Sequence, residues 1–245
     1  LLEVGQPLHA FDFTKIEGDI QVRRATEGEK LKLINEDVVT LKTDTLVIAD
    51  SKKVLAIAGI MGGEESACND ATTTILLESA WFNPITVAGK ARNYGLHTDS
   101  SHRFERGVDF ELAERALNYA TRLIIEYAGG SAGEITQALD SSNLPQRKPI
   151  KVRYCKVNQI IGQRFTNHDI NILIGRIGNV IEANDDYLVV VPPSYRFDLE
   201  IEEDFIEEVA RLNGYDNVPV SFEMITKINM PLVAESTVTL ADFKK

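Results

Sequence analysis

The stretch ALDSSNLPQRKP, residues 138–149, constrains the fold more than any other part of the chain. It is polar, carries two prolines and shows no hydrophobic period, so neither a helix nor a central strand can run through it. The patterns on its two sides differ. Before it, IQVRRA, TLVIAD, VLAIAG and TTILLESA are short β-rich runs separated by Gly, Asp and Lys turns, which predicts strands across residues 20–80. Asn83 and Pro84 then supply an N-cap and a first-turn proline, predicting a helix to about Asn93 that stops at Gly95. Ala113, Ala116, Leu117, Ala120, Leu123, Ile124 and Tyr127 recur at helical spacing between Asp109, the expected cap, and Gly129-Gly130.

Beyond the linker, IKVRYC reads as a strand and KVNQIIGQ as a short helix. NHDINILIGRIG reads as a helix capped by Asn167, and NVIEA with DYLVVVPP as a hairpin. A last helix is expected from about Ile201 to Asn213, ended by Gly214. Two helices followed by a hairpin suggest a winged-helix arrangement. The expectation is therefore an α+β chain: a mixed sheet-and-helix domain at 1–140, then a small winged-helix-like α+β domain at 150–220.

Composition narrows the function classes. At 44% apolar and 26% charged residues the balance is that of a soluble globular chain, and no run of eighteen apolar residues spans a membrane. LLEVGQPLHAF has no basic region and is broken by Gly5 and Pro7, so it is not a signal peptide. LLEVGQP begins as if inside an element and STVTLADFKK stops where a helical pattern starts, so the chain reads as a piece of a longer protein. Cys68 and Cys155 are read as incidental thiols of a cytosolic protein. A net charge of -11 argues against nucleic acid held by broad electrostatics, leaving a local contact or a grip supplied by a partner.

The polar segment YGLHTDSSHRFERGVD, residues 94–109, allows several readings. Asp99, Ser100 and His102 suggest a triad, but neighbours in one loop align poorly for that chemistry. His97 and His102 without a nearby cysteine make a weak zinc site. If residues 97–101 are extended, Thr98 and Ser100 share one face and His97, Asp99 and Ser101 the other, which suits the wall of a pocket. A polar loop capping the next helix explains the same residues. GIMGGEES, residues 59–66, looks like a phosphate loop but lacks a following Lys-Ser/Thr and carries Glu64 and Glu65, so a tight turn or bare backbone for close approach fits better. Glu78 in TTILLESAWF shares a strand face with Leu76 and Ala80, and needs a partner or a cleft there unless it leans into solvent.

Between Asp198 and Glu208 lie seven acids and no base. With Phe205, Ile206, Val209 and Leu212 as the buried stripe, Asp204, Glu207 and Glu208 are expected on the exposed face. Together with Asp198 from the preceding turn, they offer hard oxygen donors suited to Mg²⁺. A solvated helix start whose acids favour the macrodipole accounts for Glu202 to Asp204 as well.

The stretches GQPLHAFDF, GIMGGEES, LLESAWF, GLHTDSSHRFERGVD and PPSYRFDLEIEEDFIEEVARLNGYDNVP, in this order, closely resemble the β subunit of bacterial phenylalanyl-tRNA synthetase. The resemblance reaches to about Pro219. It implies an editing domain that hydrolyses tyrosine wrongly attached to tRNA(Phe), followed by a winged-helix-like domain. Residues 221–245 would then begin a synthetase-like domain. It also implies a cytoplasmic ligase: an (αβ)₂ heterotetramer with the α subunit, which carries the ATP-dependent aminoacylation. Carried over by motif, the editing-site histidine is His9, the pocket glycines are Gly59 and Gly62, the glutamate that recognises the tyrosyl hydroxyl is Glu78, and the HTD threonine is Thr98. His9, Glu78 and Thr98 would form the reacting site. Ser100 stands where the family often has alanine. The family's Mg²⁺ ligands, at a site shared with the α subunit, fall on Asp198, Asp204, Glu207 and Glu208, and the cation is not expected to stay on this chain alone. A family arginine and further pocket residues are expected ahead of Leu1.

A synthetic site rejects an isostere with one added hydroxyl poorly, whereas a second site that hydrogen-bonds that hydroxyl selects for it. Two other function classes fit the sequence: an assembly module without chemistry, and a tRNA-binding module built on the winged-helix-like region.

Overall fold

The computed structural model describes residues 1–219. The expected further domain at 221–245 lies outside the described residues. The chain divides into two compact units, one of Leu1–Pro149 with Val191–Glu200, the other of Ile150–Val190 with the residues from Ile201 onward. It is α+β in architecture. Among the described residues no helix is long and apolar enough to cross a membrane, and Cys68 and Cys155 are both free and exposed.

The first unit contains β1 (Leu8–Asp12), β2 (Gln21–Arg24), β3 (Lys30–Lys32), β4 (Val38–Thr40), β5 (Leu46–Ala49), β6 (Val54–Ile57), β7 (Met61–Gly62) and β8 (Ile75–Ser79). Strands β2, β5, β6 and β7 form one sheet in that order, and its pairings are antiparallel. The apolar runs of β5 and β6 are buried almost throughout, because this part of the sheet is covered on both faces. Strands β3 and β4 make a separate hairpin, while β1 pairs antiparallel with β8. Phe11, Leu33, Leu41, Leu55, Ile57, Phe82 and Phe104 fill the core among these layers.

Four helices follow: α1 (Pro84–Val87), α2 (Lys90–Asn93), α3 (Asp99–Arg106) and α4 (Ala113–Ala128). The helix expected from Pro84 to Asn93 is two short ones, divided at Gly89, which takes a left-handed conformation with φ of +72°. The Asn83 side chain caps α1 as expected, accepting from Ile85 N. Asp109 does not cap α4, whose N-cap is Leu112. The aspartate instead accepts from Glu111 N in the turn before it. Of the apolar stripe expected on α4 only Ala116 is fully buried.

The second unit runs β9 (Ile150–Arg153), α5 (Tyr154–Ile161), α6 (Asn167–Gly175), β10 (Asn179–Ala183), β11 (Tyr187–Val191) and α7 (Glu202–Asn213). Its sheet has the order β10-β11-β9, so the hairpin after the two helices returns its second strand to the strand that precedes them. Val152, Val157, Ile170, Ile174, Leu188, Val190, Phe205 and Val209 make its core. Thr166, not Asn167, caps α6 in a reciprocal box with Asp169, and Asn167 donates to Asp185 O instead.

Candidate functional site

The β1/β8 pair sets His9 directly opposite Glu78. Directly opposed residues project to the same side, so imidazole and carboxylate line one cavity. Gln6 fixes this pair at its edge: fully buried, it donates to Ala80 O at 2.7 Å. The β6–β7 turn closes the cavity from another side. A Cβ on Gly62 would stand 2.4 Å from His9 Cε1, so the imidazole packs against bare backbone that only glycine provides. Gly59 has φ of +68°, and its missing Cβ would fall 3.0 Å from the rings of Phe82 and Phe104.

The third wall is the start of α3. Residues 97–101 are not an extended segment, since Thr98 is an N-cap and helix begins at Asp99. Thr98 accepts from Ser101 N at 3.0 Å and donates to Ile60 O at 2.9 Å. Ser100 donates to Gly59 O at 3.0 Å. Thr98 and Ser100 do face the cavity together, but because a helix N-terminus is pinned to the glycine turn and not because strand alternation aligns them. Ser101 completes the capping box and is buried, so it does not leave on an opposite, open face. No triad forms, since the Ser100 hydroxyl is committed to a backbone carbonyl and not to His102. The His97 and His102 rings lie 6.4 Å apart, and no group of three or more metal-ligating side chains exists among the described residues.

The cavity holds about 210 Å³. An apolar cavity of roughly 150 Å³ accommodates benzene, so one aromatic ring fits here. Its apolar lining includes Leu8, Ile48, Ile57, Ile60, Met61 and Phe104, and its polar side chains are His9, Glu78, Thr98 and Ser100. Burial pushes Glu78 up to about 7, with no hydrogen bond or cation to oppose it among the described residues. Burial also lowers the pKa of His9, so the ring is neutral at pH 7, and its Nε2 is buried without a partner. The site therefore offers an acceptor-or-donor carboxyl and an unengaged imidazole nitrogen in apolar surroundings. Sequence reading missed Gln6 and the apolar lining. Phe104 could have been found only by recognising α3, on which it stands one turn after Ser100.

The acidic helix behaves differently. Glu208 is not on the exposed face of α7; it is buried, and it accepts from Arg211 Nε at 3.0 Å. At about 100° per residue it stands roughly 60° from Phe205, inside the buried arc. Asp204 accepts from Ile201 N at 2.8 Å, capping its own helix, while Glu207 is exposed. In the other unit, Asp198 is bound by Arg196, with Nε to Oδ1 at 2.8 Å. Asp198, Asp204 and Glu208 are thus engaged by arginines and a helix start, and among the described residues no group of three or more metal-ligating side chains comes together.

The first 129 residues match the B3/4 domain family, and residues 150–215 match the tRNA synthetase B5 domain. The chain is 49% identical over 219 residues to the phenylalanine–tRNA ligase beta subunit of Methylococcus capsulatus, covering 89% of this chain and 28% of that protein. It is 46% identical over 244 residues to the same subunit of Pseudoalteromonas translucida, covering 100% of this chain and 31% of that protein. It thus spans about three tenths of the length of these curated relatives. Among solved structures, an N-terminal fragment of the phenylalanyl-tRNA synthetase beta subunit from Pyrococcus horikoshii aligns at a TM-score of 0.44 and 18% identity, covering 85% of this chain and 60% of that one. With a B3/4 match over more than half of its residues and a B5 match after it, the chain belongs to the phenylalanine–tRNA ligase beta-subunit family, as a B3/4–B5 fragment.

Proposed function

We propose that the cavity of the first unit hydrolyses tyrosine wrongly esterified to tRNA(Phe), and that the second unit serves assembly with the α subunit of the ligase. The observation that carries this reading is Glu78, a carboxyl without a partner inside an apolar cavity of ring size. A phenylalanyl ring gives that carboxyl nothing to bond. A tyrosyl hydroxyl removes the cost of leaving it unpaired, and the difference selects tyrosine. With a pKa near 7, Glu78 can accept from the phenol when ionised or donate to it when protonated.

The chemistry is ester hydrolysis. Water oxygen attacks the carbonyl carbon, the bond to the ribose oxygen breaks, and tyrosine leaves with its carboxylate while the RNA regains its hydroxyl. The unpartnered Nε2 of His9, neutral at pH 7, is the group that can receive the water's proton. Thr98 and Ser100 hold the glycine turn in place and leave only lone pairs toward the ligand. In the whole ligase the partners are the α subunit, in an (αβ)₂ heterotetramer, and tRNA(Phe), in the cytoplasm. Any Mg²⁺ at the acidic helix would be completed by the α subunit.

The test is Glu78→Ala in the complete ligase. A hydrogen bond to a charged group is worth about 1.5–3 kcal/mol, so Tyr-tRNA(Phe) hydrolysis should fall roughly 10- to 150-fold, with weaker selection of Tyr over Phe. Unchanged discrimination with the fold intact would sink the reading. Wild-type ligase that fails to deacylate Tyr-tRNA(Phe) would leave an assembly or tRNA-binding module in its place.

A further inference from the structure

A second concavity of about 770 Å³ lies in the first unit, lined by Arg103, Arg115, Tyr119, Tyr195 and Phe197 among others. Tyr195 is 55% exposed and Phe197 43% exposed. Gly107, with φ of +116°, backs the Phe197 ring, which an added Cβ would meet at 3.1 Å. Arg122 stacks over Tyr119 at 5.1 Å, so Arg115, Tyr119 and Arg122 form a stripe along α4 at helical spacing. Among the described residues none of Arg103, Arg115 or Arg122 pairs with a carboxylate, whereas Arg23, Arg153 and Arg211 each do. The two acids of the cleft are already engaged, Glu3 by Tyr119 at 2.5 Å and Asp109 by Glu111 N at 3.0 Å.

The cleft and the cavity each take a lining residue from α3. Ser100, in the wall of the cavity, and Arg103, in the wall of the cleft, stand on the same helix about 4.5 Å apart along its axis. Uncompensated arginines beside exposed aromatic rings are what single-stranded nucleic acid requires: phosphates bind the cations and bases stack on the rings. On a chain of net charge -11 such a patch is a local exception. The geometry points to this cleft as the track of the single-stranded RNA end whose aminoacyl ester enters the cavity, with phosphates at Arg103 and Arg115 and bases on Tyr195 and Phe197. The inference rests on the editing function proposed above.

Arg115→Ala and Tyr195→Ala, both at exposed positions, are compared with wild type in the complete ligase. Each is assayed on Tyr-tRNA(Phe) and on tyrosine esterified to adenosine alone, which lacks the RNA end. Tyr195→Ala should lower kcat/KM on Tyr-tRNA(Phe) roughly 5- to 150-fold, the range for losing one base–aromatic stack, and leave the adenosine ester unchanged. Arg115→Ala should flatten the dependence of log KM on log salt by roughly 0.7 for the RNA substrate, and Arg115→Lys should restore it. An unchanged salt slope together with unchanged kcat/KM overturns the proposal. So does equal loss on both substrates, which would mean the cleft only shapes the cavity. Loss of assembly with the α subunit, with deacylation intact in the complexes that form, would mean the cleft takes a protein segment and also overturns it. Wild-type ligase inert on both substrates would instead remove the editing function itself, and the track with it.

Discussion

Glu78 in the first unit and Glu202 in the second are two partly buried carboxylates whose surroundings drive them in opposite directions. Glu78 is pushed up to about 7 by burial alone. Glu202 is pulled down to about 2, chiefly by the Arg153 side chain and also by Lys156, which together overcome its own burial. Arg153 Nη2 lies 2.7 Å and Lys156 Nζ 2.9 Å from Glu202 Oε2. The paired glutamate ties β9 and α5 to the start of α7 and belongs to the stability of its unit. The solitary one costs its unit stability and is tolerated because it faces a cavity that a ligand can fill. Density of acids in the sequence marks α7 far more strongly than it marks β8. The raised carboxyl is the one without a partner, and only the fold reveals that.

The contrast between the two units breaks most visibly if the cavity tolerates filling. Gly62→Ala places a methyl where His9 Cε1 would be 2.4 Å away, so the ring must move. A misplacement of about 1 Å can cost on the order of 100-fold, so deacylation of Tyr-tRNA(Phe) by the complete ligase should fall by about that factor while phenylalanylation is preserved. Full editing activity in Gly62→Ala would mean that His9 need not sit where it does.

How much of this was legible varies with the range of the interactions involved. Strands β2, β5, β6 and β8 and helices α4 to α7 could be read locally, since each carries its own period and stop signals. The motif residues His9, Gly59, Gly62, Glu78, Thr98 and Ser100 all line one cavity. What was not legible is the pairing of β1 with β8, residues far apart in sequence whose partnership depends on the whole unit. The start of α3 departs from the extended expectation although its capping signature, a threonine followed three residues later by a serine, is present in the sequence. The box usually ends in Glu or Gln, so a serine there is a weak signal. Glu208 leaves the exposed face because the buried arc of α7 is wider than the stripe that Phe205, Ile206, Val209 and Leu212 define.

Opposite pH signatures separate the two glutamates next. Glu78 is raised in the fold, so its contribution to stability is fully present below its unfolded value of 4.5 and is lost as pH rises through about 7. Glu78→Gln should therefore match wild type near pH 4 and be more stable above pH 8, by about 1–3 kcal/mol, since a tenfold change in a protonation equilibrium corresponds to about 1.36 kcal/mol. Glu202 is depressed, so its contribution is present above 4.5 and is lost as pH falls through about 2. Glu202→Gln should be less stable near neutrality by about 1–2 kcal/mol, discounted because Arg153 is half exposed, and should converge on wild type near pH 2. Denaturant unfolding of the two variants across this range is the measurement. Parallel curves for the two would remove the distinction between the units.

The smallest expected effect concerns Mg²⁺. A cation at α7 must take Glu208 from Arg211 and Asp204 from its own helix start, and Mg²⁺ gives up its waters reluctantly. On this chain alone the dissociation constant should exceed ordinary Mg²⁺ concentrations, so the stabilisation stays below about 0.4 kcal/mol, the value reached when ligand and dissociation constant are equal. Thermal unfolding with and without Mg²⁺ reads this directly, and a shift well above that bound would mean the carboxylates rearrange into a cage of their own. The double change Asp204→Asn with Glu207→Gln should then be nearly silent in the fragment's Mg²⁺ response yet weaken association with the α subunit. Association indifferent to both substitutions would leave α7 as what its ion pairs already make it, a helix bound into its own unit with no cation to share.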